Sequence, residues 1–400
     1  MPSSRDLPLT GVRILDLSRV VSGPFGAMIL GDLGADVVKV EEPERGDESR
    51  SYGPPFQNGE SAYFMSVNRN KRSIAIDLKS ADGIALVGRL AETADVLVEN
   101  FRPGTADRLG LGYEELRSRN AGLVYCSISG FGRTGPDATR PGYDLIVQGE
   151  GGLMDITGSP DGPPTKVGTS IADLVAGLYA AQAITAALFQ RRVTGTGRRV
   201  DIAMLDAVAS LLTFNAGIYF ATGKGPRRRG NLHPTISPYE TFEVADGWIN
   251  IGVANDKFWA LFCDAIGKSD LVADLRFWSP SARVTNRNAL IEIIEPILRQ
   301  APRDVWVSRL STAGVPCGAI RAVSEVCEAT QLVSRGMILH TKHPKAGEIR
   351  SVATPFRFDD QSPRIPRPPP LLDQHRLEIL RDWLPQPHAG DSSTYRREHL

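Results

Sequence analysis

The sequence contains little cysteine and no surplus of charge. Only four of its 400 residues are cysteines, and no two of them have the C-x-x-C spacing. A disulfide framework is therefore not expected, and the chain suits a reducing compartment. Its 46 basic and 46 acidic side chains cancel, so no net field draws it toward nucleic acid or an anionic membrane. We expect a cytoplasmic protein with neither of these as a partner.

The first residues lack the apolar core of a signal peptide. One apolar run, residues 171–189, has the length of a membrane span, but Asp173, Gly177 and Gln182 interrupt it. We therefore interpret this run as a helix of a soluble fold. Because it is apolar on nearly every side, we expect it to be buried.

Three common functional motifs are also missing. No G-x-S-x-G occurs, so serine hydrolase chemistry has no support. Glu41 and Glu42 end a predicted strand as a ribose-binding acid would, but the preceding turn has only Gly23 and Gly26 instead of G-x-G-x-x-G. His340-x-x-His343 lies beside Pro344 in an expected turn, which is not a metal-binding helix face. We predict neither a nicotinamide cofactor nor a metal.

Strand-like and helix-like segments alternate through the first half of the chain, which indicates an α/β fold with a parallel sheet. The predicted strands are residues 12–17, 36–41, 73–77, 95–99, 122–128 and 198–202. The predicted helices are residues 25–34, 80–92, 171–189 and 203–221, and a helical region is predicted around residues 104–119.

A basic segment rich in Gly and Pro, Lys224–Gly230, marks a domain boundary. Its run Arg227–Arg229 has no aromatic partners, so we interpret it as an exposed loop and not as an RNA site. Beyond it we predict a hairpin over 239–253 that turns at Asp246-Gly247. We also predict helices at 256–267, 284–299 and 303–313, strand-like segments over 336–358, a polyproline crossing at 363–370, a helix from near His375 and a polar tail after Pro385. The domains are then 1–225 for the large domain, 226–325 for the small one and 326–400 for a segment that completes the large one.

Asp173 stands near the start of the long apolar run. Thr169 and Ser170 are suited to cap a helix there, and Asp173 has the capping-box spacing from Ser170. One reading is that the carboxylate only completes the cap. The other is that it is a nucleophile held ready at a helix start. The local residues leave both readings open.

Basic residues recur at the predicted loop edges, among them Lys79, Arg102 and Arg108. Each of them alone is more often part of a solvated face, but phosphate groups need such charges. Arg102 is the best candidate, because it follows the predicted strand 95–99 at the carboxyl edge, where open α/β sheets bind ligands.

Several long motifs occur in one order along roughly residues 10–385. They are Gly11–Ser18, Leu33–Glu41, Asn68–Lys79, Asp95–Gly104, Ser127–Gly132, Arg140–Asp144, Ser159–Pro164, Gly230–Pro234 and Ala313–Gly318. In these motifs the chain resembles the class III CoA-transferase family.

The resemblance implies a site, a fold and an activity. Asp173 takes the position of the family's nucleophilic aspartate, and Tyr143 and Asp144 border the thioester. The positions that hold CoA are Asp77, Leu78, Lys79, Asn100, Phe101, Arg102 and Arg108. The implied fold is a Rossmann-like large domain with a smaller α+β domain, in a ring-shaped chain that forms an interlocked homodimer. The implied activity is the transfer of CoA from an acyl-CoA to a small carboxylic acid through a covalent aspartyl intermediate, without a permanently bound cofactor.

The chain also departs from the family pattern. Val21 and Glu42 replace Gln and Arg, residues that contact CoA or substrate in some members, and Asp373 stands where a glycine is expected. The segment Ile251–Asp256 has one glycine in place of a glycine-run loop. The family also includes α-methylacyl-CoA racemases, but Tyr143 occupies their histidine position and is a poor base at neutral pH. We therefore favour a transferase, with a racemase or a non-catalytic CoA-binding homologue as alternatives.

Overall fold

The structure is a computed structural model that describes residues 7–360 and 367–384. Its contacts divide the chain into two units. The first contains the residues up to Leu153, Lys166–Gly217 and those from Ser334 onward, and the second contains Met154–Thr165 and Ile218–Val333. The predicted small domain, 226–325, lies inside the second unit. Residues 363–366, the first half of the predicted polyproline crossing, and the tail after Pro385 lie outside the described residues.

Thirteen strands are formed by the described residues. In chain order they are β1 Arg13–Asp16, β2 Asp36–Glu41, β3 Phe56–Gln57, β4 Glu60–Ser61, β5 Lys71–Ala75, β6 Val96–Glu99, β7 Val124–Ser129, β8 Arg199–Ala203, β9 Tyr239–Val244, β10 Gly247–Gly252, β11 Cys317–Ala319, β12 Ile338–His343 and β13 Gly347–Val352. The predicted hairpin and all six predicted strands of the first half are confirmed to within a few residues.

The described residues also form seventeen α-helices. They are α1 Ser22–Asp32, α2 Ala62–Ser66, α3 Ala81–Glu92, α4 Thr105–Arg108, α5 Tyr113–Arg119, α6 Asp144–Glu150, α7 Leu153–Ile156, α8 Ile171–Thr194, α9 Met204–Ser210, α10 Thr213–Thr222, α11 Asp256–Ala265, α12 Pro280–Thr285, α13 Arg287–Leu298, α14 Arg303–Thr312, α15 Val323–Cys327, α16 Thr330–Ser334 and α17 Arg376–Trp383. The helical region predicted around 104–119 is confirmed and contains two helices, α4 and α5. The single helix predicted over 203–221 is wrong, because this segment forms α9 and α10, which meet at 73°.

The first unit is built on a six-stranded parallel sheet in the order β5-β2-β1-β6-β7-β8. Alternate residues of its strands point to opposite faces, so Ile14 joins one apolar core and Leu15 another. The strand order reverses between β1 and β6. Open α/β sheets bind ligands at this switch point, beyond the carboxyl ends of the strands.

Helix α8 packs against α1 at a crossing of two glycines. A Cβ atom on Gly26 would lie 2.8 Å from the Gly177 carbonyl oxygen, and a Cβ atom on Gly177 would lie 2.6 Å from the Ser22 carbonyl oxygen. Only glycine allows the two backbones to approach this closely. The crossing brings the first turn of α8 beside the first turn of α1.

The rest of α8 is more exposed than the sequence suggests. By length and composition it could cross a membrane, as could α9 and α10 taken together, but only 44% of its most apolar stretch is buried. Phe189 and Val193 are 74% and 81% exposed. The prediction that this helix is buried on every side is therefore wrong for a single chain.

Four charged side chains are buried together beneath the loop that follows β1. Lys39 pairs with Asp47 at 2.8 Å and Lys71 pairs with Asp16 at 2.9 Å. Burial opposes the charge of Lys71 and lowers its pKa to about 8. Burial also opposes the charge of Asp16, but the positive charges of Lys71 and Lys39 outweigh it and hold the pKa of Asp16 below its ordinary value. Removing any one of these side chains would leave a buried charge without its partner and lower the stability of the fold.

The C-terminal segment docks on the edge strand β5. Asp373 has φ +59°, the left-handed region that favours glycine and that Asp tolerates better than most residues. Its carboxylate accepts the Ala75 N–H at 2.7 Å. This explains the departure at position 373, because aspartate supplies a hydrogen bond that glycine lacks.

The second unit has its own core. Strands β9 and β10 pair with β11 in a three-stranded antiparallel sheet, and α11, α13 and α14 cover the sheet with apolar side chains, among them Trp259, Phe262 and Trp306. The antiparallel sheet with helices is an α+β arrangement.

Candidate active site

A pocket of about 360 Å³ lies in the first unit at the switch point of the parallel sheet. Its walls come from the turns that follow neighbouring strands: Arg19, Val20 and Ser22 after β1, Asn100–Pro103 after β6, and Ser129-Gly130 after β7. Asp173 and Tyr143 also line it. The sheet topology therefore assembles side chains that are far apart in the sequence.

Asp173 is a half-buried carboxylate in the first turn of α8. Burial raises its pKa to about 7, and the nearby charge of Asp144 adds to this effect, while a hydrogen bond from Ser22 opposes it. Near neutral pH, the carboxyl group is thus divided between its two protonation states. A group with such a shift in a pocket is a candidate for chemistry.

The predicted capping box is wrong. Ser170 is the N-cap residue of α8, but its side chain makes no capping hydrogen bond. Instead, Asp144 Oδ1 accepts the Ala172 N–H at 2.9 Å, and its Oδ2 accepts from Gln148 Nε2 at 2.8 Å. Because Asp144 takes over the cap, Asp173 is left to face the pocket. The hydrogen bond that caps the first turn of α8 is therefore supplied by Asp144.

Sequence reasoning missed two hydroxyl groups beside Asp173. Ser22, buried at the start of α1, is its hydrogen-bond partner. Tyr63 on α2 hydrogen-bonds to Ser170, and burial together with the Asp173 charge raises the pKa of this tyrosine. Ser22 falls between the recognised motifs Gly11–Ser18 and Leu33–Glu41, and nothing in the sequence singles out Tyr63.

Four of the residues predicted to bind CoA or border the thioester line this pocket with Asp173: Asn100, Phe101, Arg102 and Tyr143. Asp144 lies behind it as the cap of α8. Arg108 ends α4, where it bonds to Thr105 Oγ1 at 2.9 Å. Asp77, Leu78 and Lys79 form the turn after β5, in which Asp77 Oδ1 accepts the Lys79 N–H. None of these last five is part of the pocket wall.

Three arginines, Arg19, Arg102 and Arg140, line the pocket together with Glu48, and we call these arginines the arginine rim. Arg19 stacks over Phe101 at 5.6 Å and has only a loose contact of 3.9 Å with Glu48. Arg140 is paired with Glu150 and Asp137. Arg102 is exposed and has no ion pair with any described residue. Arg102 is thus the rim cation most available to an anionic ligand.

Comparisons with known proteins agree with the family resemblance of the motifs. Residues 9–376 match the model of CoA-transferase family III. The chain belongs to this family. It is 41% identical over 377 residues to mouse succinyl-CoA:glutarate CoA-transferase, covering 94% of this chain and 86% of the mouse protein.

Two further relatives are equally similar over their whole length. Acetyl-CoA:oxalate CoA-transferase of Acetobacter aceti is 41% identical over 384 residues, covering 96% of this chain and 97% of that protein. The crystal structure of a CAIB/BAIF family protein from Brucella suis has a TM-score of 0.87 and 42% identity, covering 94% of this chain and 99% of that one. The α/β fold expected from the family is confirmed.

The departures from the family pattern have distinct places in this transferase fold. Val21 is the buried N-cap residue of α1, next to Val20 in the pocket wall. Glu42 lies in a turn, where it accepts the Arg45 N–H at 2.8 Å. Ile251 and Gly252 end β10 in the second unit.

The histidines are arranged differently from the prediction. His340 and His343 lie in strand β12, not in a turn, and His343 Nδ1 accepts the Ala346 N–H at 2.9 Å. Among residues 7–360 and 367–384, no group of three or more His, Cys, Asp or Glu side chains is placed to hold a metal ion.

Proposed function

We propose that this protein transfers CoA from an acyl-CoA to a free carboxylic acid, with Asp173 as the covalent carrier. The observation that carries the proposal is the position of Asp173. It is a half-buried carboxylate with a pKa of about 7, in a pocket at the switch point of a chain that belongs to CoA-transferase family III. The pocket can hold a thioester, and its rim can contact phosphate groups.

A free carboxylate does not readily displace CoA from a thioester, and a covalent relay through an aspartate divides this reaction into easier steps. In the first step, the Asp173 carboxylate attacks the thioester carbon, the C–S bond breaks, and a mixed anhydride and CoA thiolate form. The thiolate then attacks the aspartyl carbon and releases the donor acid, leaving an aspartyl-CoA thioester. An acceptor carboxylate repeats these steps in reverse and regenerates Asp173. No proton is consumed overall, and no ATP is needed because thioester energy is conserved.

The environment of Asp173 suits this relay. Burial weakens the solvation of the carboxylate, and a carboxylate with a raised pKa is a better nucleophile than one exposed to water. Each attack passes through an oxyanion, and one well-placed hydrogen-bond donor is worth about 3–4 kcal/mol in such a state. The Ser22 hydroxyl, which lines the same pocket as Asp173, is a candidate for such a donor.

We propose small dicarboxylic acids as the acceptor class. The names of the two enzyme relatives include glutarate and oxalate, and the arginine rim can hold a second carboxylate. The test is to incubate the protein with succinyl-CoA or acetyl-CoA and a panel of dicarboxylic and branched acids, and to identify new CoA thioesters by mass spectrometry. Absence of any exchange would favour a CoA-binding homologue. Exchange of the α-proton of a 2-methylacyl-CoA without CoA transfer would favour a racemase.

Replacing Arg102 with Ala is expected to raise the dissociation constant for CoA about tenfold, because a charge-assisted hydrogen bond to phosphate is lost. The loss should shrink as salt is added. Isothermal titration with CoA measures both effects. Arg117→Ala, at an exposed position on α5, is the control and should leave binding unchanged. An unaltered constant for Arg102→Ala would remove this residue from the CoA site.

Replacing Asp144 with Asn is expected to move the acid limb of the kcat/KM profile to lower pH. Only the charged form of Asp173 attacks, so activity rises as pH increases through its pKa. The Asp144 charge contributes to raising that pKa, and its removal lets Asp173 ionise at lower pH. Rates measured from pH 5 to 9 test this, with Asp82→Asn on the surface of α3 as the control. A profile that does not move would contradict the coupling.

We also propose that a second copy of the chain covers the exposed face of α8. Leu178, Phe189 and Val193 lie at helical spacing on this face and are 48%, 74% and 81% exposed, more apolar surface than one soluble helix usually leaves open. Light scattering after gel filtration should give twice the chain mass. Phe189→Asp should shift the protein toward monomer, whereas Leu377→Asp on α17 should not. A monomeric wild type, or one that pellets with lipid vesicles, would contradict the proposal.

A further inference from the structure

The turn between β1 and α1 is held by side chains at nearly every backbone polar group. Asp16 accepts the Ser18 N–H at 3.0 Å, and Lys39 Nζ donates to the Ser18 carbonyl oxygen at 2.8 Å. Asn100 hydrogen-bonds to both backbone polar groups of Arg19: its Oδ1 accepts from the Arg19 N–H at 2.8 Å, and its Nδ2 donates to the Arg19 carbonyl oxygen at 2.8 Å. Asp47 accepts the Val20 N–H at 3.2 Å. Such a set of restraints on three residues is far more than a surface turn needs.

The turn needs these restraints because it contains a strained residue. Val20 has φ +67°, a left-handed conformation that is unfavourable for a β-branched side chain. Strain of this kind persists only where the surroundings impose it, and it occurs mainly at functional sites. Without the restraints, Val20 would move toward an ordinary conformation and carry the start of α1 with it.

The strained residue stands next to the catalytic carboxylate of the proposed function. Two residues after Val20, Ser22 lines the same pocket as Asp173, and its hydroxyl interacts with that carboxylate. Asn100 Nδ2 also lies 3.5 Å from Ser22 Oγ. The Asn100 amide therefore connects the backbone of the turn with the hydroxyl that contacts Asp173.

The same contacts occupy the polar atoms of Asn100. Its oxygen accepts from Arg19, and its nitrogen donates to Arg19 and lies beside Ser22. A side chain committed in this way has little capacity left to bind CoA directly. The family resemblance assigns Asn100 to CoA, but its contacts point to a different role.

We propose that Asn100 is a positioning residue that holds Val20 in its left-handed conformation and thereby sets Ser22 against Asp173. This proposal rests on the proposed function for its kinetic consequence, but the conformation of the turn can be measured without turnover. It predicts that the chemical step depends on Asn100, whereas the affinity for CoA does not.

A double-mutant cycle with glycine at position 20 tests the proposal. Asn100→Ala should lower kcat about tenfold or more and change the dissociation constant of CoA less than about twofold. Glycine adopts positive φ without strain. Adding Asn100→Ala to a Val20→Gly protein should therefore lower kcat much less than adding it to the wild type. Additive losses would overturn the proposal, and so would an Asn100→Ala variant that loses CoA affinity while its kcat is retained.

Amide hydrogen exchange measures how firmly the turn is held, without any need for turnover, and so separates this proposal from the proposed function. Exchange at Arg19–Ser22 should be faster in Asn100→Ala and restored in the double variant, even if no CoA transfer is ever detected. Asn100→Asp provides a second variant of nearly the same size, in which a carboxylate oxygen replaces the donor to the Arg19 carbonyl and should also loosen the turn. Unchanged exchange in both variants would overturn the proposal.

A matched control is available elsewhere in the same unit. Asn120 Nδ2 donates to the carbonyl oxygens of Ala91 and Ala94 at 3.1 and 2.8 Å, and its Oδ1 accepts the Gly122 N–H at 3.1 Å. Asn120→Ala removes a comparable set of bonds far from Val20. Its effects should not be rescued by Val20→Gly, and it should leave exchange at Arg19–Ser22 unchanged; rescue here would show that glycine acts unspecifically and would overturn the proposal.

Discussion

Replacing Asp173 with Asn is expected to lower CoA transfer by about 10³-fold or more, because an amide of the same shape cannot attack a thioester. The fold should be retained, since Asn removes a buried charge without leaving a cavity. Turnover with succinyl-CoA and an active acceptor acid measures the loss, and circular dichroism confirms the fold. Asp173→Ala serves as a second variant that cannot revert by deamidation.

The covalent step has its own readout. After the wild-type protein is mixed with an acyl-CoA, denatured and weighed intact, part of it should carry acyl or CoA mass, and peptide mapping should place that mass on Asp173. The Asn variant should show neither adduct. If the wild-type side chain remains bare throughout productive turnover, the relay through Asp173 is wrong, even if Asp173→Asn is inactive.

Replacing Lys39 with Met is expected to lower the free energy of unfolding by about 3–5 kcal/mol, because it leaves Asp47 buried without its partner. Lys39 is fully buried, lies 2.8 Å from Asp47 and donates to the Ser18 carbonyl oxygen. Burial opposes its charge, but Asp47, Asp16 and Glu41 outweigh this and hold its pKa above the ordinary value. The loss is thus one of uncompensated charge more than of packing.

Urea denaturation at pH 7 measures this loss. The control is Lys345→Met, at a lysine that is 54% exposed and pairs with Glu60 at 2.8 Å. Exposed pairs contribute little, so we expect a change within about 0.5 kcal/mol. A similar destabilisation by both substitutions would contradict the importance of burial, and a stable Lys39→Met variant would show that the buried carboxylates have become neutral.

Much of the fold could be predicted from local sequence patterns. The alternation of apolar segments around β1, β2 and β6 indicates a parallel sheet, and Asp246-Gly247 indicates the turn of the β9–β10 hairpin. These predictions succeed because periodicity and turn chemistry act over a few residues. The single helix expected over 203–221 fails because breaks within a helical pattern depend on what the segment packs against.

The site was predicted only in part. Asp173 was recognised by its motif, but its two roles could not be separated from neighbouring residues. The cap of α8 comes from Asp144, which belongs to another helix and is far away in the chain. Tyr63 and the strained φ of Val20 left no local signal, because both are imposed by contacts with other elements.

The sequence by itself determined the family, the alternation of strands and helices, and the presence of one aspartate at the start of an apolar helix. Only the tertiary structure decided that this aspartate faces a pocket and that its pKa is raised to about 7. It also decided that the Asn100 amide hydrogen-bonds to the backbone of the turn after β1. The reason is that a helix or a turn is specified by neighbours along the chain, whereas desolvation, charge–charge interaction and hydrogen bonding depend on distance in space.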